Sequence, residues 1–223
     1  MFFRAEYRVG PELKFLGNLD TMHLMERALR RAALPYALSE GFNPHIKLSM
    51  GTVLPVGLWS EKEYFDLEIN GEMETAEFLG KLNPVLPPDL QVINCIEIPA
   101  GMPSLMKSIN AACYMFIGHE PDQSWLDQIW ASSSLPVKSR GKKKDVVKDL
   151  RPGLFRLELE KMDNKICAWV SAGEPLNIRY DELLDLFESR GLTRSKFKDV
   201  YRHGNYIKKG NDFYSPIEAG LVY

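Results

Sequence analysis

The stretch "NLDTMHLMERALRRAALP", residues 18–35, is where the fold is read. Met22, Met25, Leu29 and Ala32 recur at about the 3.6-residue helical spacing, and His23, Arg27, Arg30 and Arg31 fall on the opposite side. Asn18 or Asp20 can cap the N-terminus and Pro35 stops the helix. Before it, "MFFRAEYRVG" (1–10) alternates Phe3, Ala5 and Tyr7 with Arg4, Glu6 and Arg8, a strand broken by Gly10-Pro11. After it come two strands, "HIKLSMG" (45–51) and "EKEYFDLEING" (61–71), the second turning at Asn70-Gly71. A short helix in "METAEFLGKLNPVLP" (73–87) and a strand in "LQVINCIEIPA" (90–100) follow. Strand, helix, strand, strand, helix, strand is the ferredoxin-like order, an antiparallel sheet with helices on one face.

Past "GMPSLMKSI" (101–109) the order recurs. "NAACYMFIGH" is a strand, "DQSWLDQIWASS" a helix and "LPVKS" a short strand. "GLFRLELEKM" and "KICAWVSAG" form a hairpin turning at Asp163-Asn164. "RYDELLDLFESRG" is a helix ended by Gly191, and "DVYRHGNYIKK" a last strand. The expectation is an α+β chain of tandem ferredoxin-like (βαββαβ) domains. The first covers 1–100, a linker covers 101–109, and a divergent second domain with an extra strand covers 110–223.

Composition narrows the function classes. Residues that are 45% hydrophobic and 26% charged mark an ordinary globular chain. No apolar run approaches the roughly 18 residues of a membrane span. The first residues lack a secretory signal, so a cytoplasmic protein is expected. Cys95, Cys113 and Cys167 are scattered, which speaks for buried thiols in a reducing compartment and against a Cys-rich zinc or iron–sulfur motif. No metal site is expected, because His23, His45, His119 and His203 are isolated. Neither a phosphate-binding Gly-rich loop, a dinucleotide fingerprint nor a nucleophile motif is present.

Net charge is −2, yet residues 138–151, "KSRGKKKDVVKDLR", and 194–209, "RSKFKDVYRHGNYIKK", each carry +5, leaving −12 elsewhere. In these segments Lys142, Lys143, Lys144, Arg151, Lys196, Lys198, Tyr201 and Arg202 are candidate nucleic-acid contacts. Cations neutralise phosphates, and rings such as Phe197, Tyr201 and Tyr206 stack on unpaired bases. The competing reading is a lysine-rich edge strand with a solubilising loop.

A second candidate is the loop "SEGFNPHIK" (39–47) with the preceding helix. Gly41 permits a positive φ and Pro44 pushes Asn43 towards an extended conformation, which together make a rigid turn. Arg27, Arg30, Arg31, Asn43, His45 and Lys47 with Asp20 form a candidate anion- or partner-binding set, against the plainer reading of a solvated helix face. His45, able to titrate near neutral pH, is the best candidate for a general acid or base.

Residues Phe15–Ile69 resemble the radical SAM-linked protein family, a bacterial family of unknown function encoded beside a radical SAM protein or fused to its C-terminus. Members read Phe-Leu-Ser-His-Leu-Asp, an arginine-bearing helix, Gly-Phe-Asn-Pro-His-Pro-Lys, and then Glu-Tyr-x-Asp. Phe15, Leu16, Leu19 and Asp20 match the first element, and Glu26, Arg27, Arg30 and Arg31 the helix. Gly41, Phe42, Asn43, Pro44, His45 and Lys47 match the loop, and Glu63, Tyr64 and Asp66 the last element. Gly17-Asn18 replaces the family's Ser-His and Ile46 its second Pro, which removes one histidine from any two-histidine scheme. The resemblance implies a radical SAM partner carrying S-adenosylmethionine and an iron–sulfur cluster, with no cofactor on this chain. The function expected is an accessory protein that binds RNA or presents it as substrate. The alternatives are an RNA-acting enzyme using His45 and a pure protein–protein adaptor.

Overall fold

The computed structural model describes residues 1–118, 121–140, 146–160 and 164–220. His119, Lys142, Lys143, Lys144 and Asp163 lie outside the described residues. The chain is α+β and divides into two units, Met1–Ile109 with Gly204–Tyr223, and Asn110–His203.

In the first unit, β1 (Phe2–Val9) leads to α1 (Asn18–Arg31), and β2 (Leu48–Met50) precedes β3 (Ser60–Glu68). α2 (Thr75–Leu82) and β4 (Leu90–Ile98) follow. The sheet runs β4-β1-β3 with β2 beside β3, and these pairings are antiparallel. α1 starts from Gly17, not from Asn18 or Asp20. The Asp20 carboxylate sits in the first turn and accepts the Gly17 N–H at 3.1 Å, so a side chain expected to precede the helix closes it from inside. Met25, Ala28 and Leu29 are the buried stripe, and Met22 and Ala32 are half-buried at its edges. They pack with Phe78 and Leu82 of α2 on Phe3, Ala5, Phe65 and Leu67.

The opposite sheet face is also covered. α3 (Leu105–Ser108), inside the stretch expected to be a linker, places Leu105 and Ile109 on Tyr64 with Ile217 of α6 (Pro216–Gly220). Helices therefore lie on both faces of this sheet, because the 105–109 stretch and α6 supply the apolar cover that Tyr64 and Ile96 need.

The second unit contains β5 (Ala111–Gly118), α4 (Gln123–Ala131) and a two-stranded hairpin, β6 (Pro136–Lys138) with β7 (Val147–Asp149). β8 (Leu154–Glu160), β9 (Lys165–Ser171) and α5 (Tyr180–Ser189) follow, with β8 and β9 joined to β5 in the order β5-β9-β8. Phe116, Phe187 and Trp125 meet at ring distances of 5.0 and 5.3 Å and anchor its core.

β10 (Phe197–Lys209) differs from its expected place in the second domain. Its residues before Gly204 belong to the second unit, and those from Gly204 on belong to the first. The final hairpin with β11 (Asp212–Tyr214) and α6 goes with that first unit too. At Gly118, with φ +150, a Cβ would stand 2.2 Å from the Lys196 carbonyl oxygen, so the β5–β10 approach requires glycine.

Candidate functional site: the motif hairpin and its cavity

The loop after α1 is a hairpin. Ala33 reverses the chain at φ +50, the Ala37 N–H donates to the Glu68 carbonyl at 2.8 Å, and the Lys47 N–H donates to the Ala37 carbonyl at 2.9 Å. Bridges pair Tyr36 with Ile69 and Leu38 with Ile46, so the arms extend the sheet beyond the end of β3. At the tip Gly41 has φ +116, a conformation that a side chain would strain, and Phe42 is fully exposed beside exposed Asn43.

His45 staples this hairpin. Its N–H donates to Ser39 Oγ at 3.1 Å, and the same hydroxyl lies 2.9 Å from its Nδ1. One hydroxyl thus meets both the backbone and the ring of His45 and ties the two arms together. The ring's first partner is therefore its own loop.

Lys47 leads out of the hairpin into a cavity of about 320 Å³ lined by Phe2, Lys47, Asp66, Glu68, Met102 and Ser104. Its Nζ holds Glu68 at 2.9 and 3.1 Å. Under the cavity Arg4, 1% exposed, grips Asp66 with Nε at 2.8 Å and Nη2 at 2.9 Å, and Nη2 also reaches the Pro103 carbonyl at 3.3 Å. Two cations and two carboxylates balance there. This is a rigid polar floor, because a fork-on-fork pair fixes both planes.

The remaining residues of the predicted set take separate partners. Arg31 donates to the Val85 carbonyl at 2.7 Å, Arg30 lies 5.9 Å over the Tyr36 ring, and Arg27 is exposed on α1. Asp20 is spent on the helix start. The structure joins Lys47 to Asp66 and Glu68 but gives His45, Arg30 and Arg31 partners of their own.

In the second unit Arg151 lies over the Trp130 ring at 4.7 Å, and Lys196 and Lys198 are exposed. Tyr201 and Arg202 are buried, and so is Tyr206 in the first unit. These residues were expected to form a base-stacking, phosphate-contacting surface. Adjacent residues of a strand point to opposite faces, so burial of both Tyr201 and Arg202 means that β10 is covered on both sides there. Phe197 joins the core through Phe116 at 5.5 Å. Arg194 is engaged by Asp185 and, at 3.4 Å, by Glu188.

Sequence reasoning missed several groups. Arg4 reads as a polar residue on the outward face of an amphipathic strand, and only the cover on that face makes it a buried partner of Asp66. The Tyr64 phenol donates to Glu6 at 2.7 Å, and burial with the nearby Glu6 charge pushes its pKa far up. Cys113 and Cys167, 54 residues apart, have sulfurs 3.2 Å apart in the second core. Burial pushes the Cys95 thiol up to about 12 and Cys113 upward as well. Among the described residues, no group of three or more His, Cys, Asp or Glu side chains is placed to hold a metal ion, and no helix is long and apolar enough to cross a membrane.

The model of a family described as uncharacterised proteins conserved in bacteria (DUF2344) matches residues 3–180, which include the motif hairpin, the Arg4–Asp66 floor and most of the second unit. The chain belongs to that family. No curated protein matches the chain.

Proposed function

We propose that this DUF2344 protein is an accessory protein that docks on a partner enzyme through its motif segment. The observation that carries the reading is where large apolar side chains meet solvent. Six of the eleven exposed large apolar side chains among the described residues, Phe15, Leu19, Leu38, Phe42, Val53 and Val56, lie in residues 15–56, and Phe42 is the most exposed of them. Phe42 stands on a hairpin tip braced by Ser39 and His45, so little entropy is lost when a partner covers it. An exposed aromatic on a rigid support is the usual form of an interface anchor. The resemblance of residues 15–69 to radical SAM-linked proteins names the partner as a radical SAM enzyme, which would hold S-adenosylmethionine and the cluster. The βαββαβ order of residues 1–98 supports a ferredoxin-like first domain, and β5, α4, β8, β9, α5 and β10 support a second one with β6–β7 inserted. Three buried thiols suit a cytoplasmic setting.

Co-expression of the chain with a radical SAM enzyme of its own source, the proposed partner, tests the reading. The pair is expected to co-purify. Phe42→Asp is expected to weaken the complex at least about tenfold while the chain stays folded, as loss of an anchor does. Undiminished co-purification of Phe42→Asp together with Phe15→Asp would exclude the motif segment as the interface.

RNA presentation is the second reading, favoured by exposed Lys138, Arg140, Lys196 and Lys198 on the second unit. Retention of small RNA that falls steeply with salt, and that is lost on charge reversal of Lys142, Lys143 and Lys144, is its signature. An RNA-acting enzyme using His45 would need product formation that His45→Ala abolishes with binding intact.

A further inference from the structure

Two arginines of the second unit converge on one carboxylate. Arg140 Nε meets Asp185 Oδ2 at 2.8 Å and its Nη2 meets Oδ1 at 2.9 Å, while Arg194 Nη2 also donates to Oδ1. The two guanidinium-bearing side chains are 48% and 40% exposed, against 21% for Asp185. They reach outward beyond the group they hold.

Their support is rigid. The Arg140 N–H donates at 3.0 Å to Glu182, which is wholly buried. The other Glu182 oxygen takes Lys148 Nζ at 2.6 Å and the Arg179 N–H at 3.0 Å. Asp185 lines a cavity of about 750 Å³ with Lys138, Ser139, Arg140, Asp181 and Ser189. Lys138 has no ion-pair partner among the described residues, and Asp181 is neutralised by Arg179 at 3.0 Å through both oxygens. The Arg140 fork and the Lys138 ammonium line this opening, and the Arg194 fork shares the Asp185 oxygen with Arg140, a set of donors that matches the oxygens of a phosphate group.

We propose that this is a phosphate-binding site whose resting occupant is Asp185. A phosphate, either free and small or in the backbone of a single-stranded nucleic acid, displaces the Asp185 carboxylate from Arg140 and Arg194 and takes Lys138 as a third cation. The carboxylate keeps the two guanidiniums ordered without ligand and lowers the apparent affinity by competing for them. The site is independent of the motif hairpin and does not rest on the docking reading. Only side chains outside 141–145 build it.

The test uses the full chain, titrated at low salt with inorganic phosphate and, separately, with a labelled single-stranded oligoribonucleotide lacking terminal phosphates. Asp185→Asn removes the competing charge at constant shape, and affinity for at least one probe is expected to rise about tenfold, the worth of a charge-assisted bond. Adding Arg140→Gln is expected to cancel the gain. A response to phosphate alone assigns a small phosphate ligand, and a response to the oligonucleotide alone assigns a backbone. No gain for either probe in folded Asp185→Asn, or a gain that survives Arg140→Gln, overturns the proposal. Should Asp185→Asn not fold, the wild-type chain decides. Phosphate or the oligonucleotide must shift the Arg140 and Arg194 Nε–H resonances in NMR spectra, with chloride at equal ionic strength as control, and unchanged resonances reject the site.

Discussion

At the scale of single residues, burial has turned ordinary side chains into structural ones. Arg4 is held on the inner side of the cavity by Asp66 and the Pro103 carbonyl, which occupy its donors. Asp66→Asn leaves that guanidinium buried without a counter-charge and is expected to cost about 3 kcal/mol in urea unfolding. A paired Arg4→Met, Asp66→Leu change is expected to cost less than the single one, and a single-variant loss below about 1 kcal/mol would contradict a buried pair. The three thiols make a second case. With all three buried and burial pushing Cys95 up to about 12, the native cores shield the sulfurs from reagent. Iodoacetamide at pH 7.5 is expected to leave the folded chain unmodified and to label all three after denaturation, as read by intact mass. Labelling of the native chain would show that a core opens. The burial of the thiols was legible in the sequence, but the Arg4–Asp66 pair was not. Alternation correctly placed Arg4 opposite Phe3 and Ala5, but nothing in "MFFRAEYRV" tells that distant Pro103 and Ile217 cover its face.

At the scale of elements, local signals read well wherever one side chain type sets the geometry. The stripe of α1, the alternation of β1 and β4, the Asn70-Gly71 turn with Gly71 at φ +75 and the Gly191 stop at φ +85 all follow from neighbours in sequence. The hairpin of residues 36–47 was legible as a rigid turn but not as a two-armed extension of β3, because Ala37 and Lys47 pair through backbone groups that any residue supplies. The β6–β7 hairpin depends on one carboxylate. Asp149 Oδ1 accepts the Leu135 N–H at 2.7 Å and the Arg151 N–H at 2.9 Å, and these bonds hold its pKa below the usual carboxylate value. A depressed folded-state pKa gives stability that is present above the unfolded value near about 3.9 and is lost as pH falls through the lower folded one. Amide exchange in 135–140 and 146–151 is therefore expected to accelerate below about pH 4 in the wild type, relative to the rest of the second unit. Asp149→Asn should show the faster exchange already at pH 7, with little further change on acidification. A pH-independent wild-type hairpin would contradict this anchoring role.

At the scale of the whole molecule, the two halves of the sequence do not coincide with the two units. Element order suggested a boundary near residue 110 and a second domain running to the end, whereas Gly204–Tyr223 belongs with the first unit. The pattern of "DVYRHGNYIKK" marks a strand but cannot say that its residues from Gly204 on belong to the first unit, since such membership is a long-range property. The same limit explains the candidate sites. The motif residues were found by resemblance, yet the exposed Phe42 and the Lys47–Glu68 contact emerge only in three dimensions, as does the burial of Tyr201 and Arg202. These facts shift weight from nucleic acid at β10 to a docking surface at the motif segment. The most direct measurement is hydrogen–deuterium exchange on the chain alone and saturated with the radical SAM enzyme proposed as its partner. The account predicts slowed exchange in residues 36–57 and no change in α5. Unchanged exchange in 36–57, or protection confined to 194–209, would contradict it.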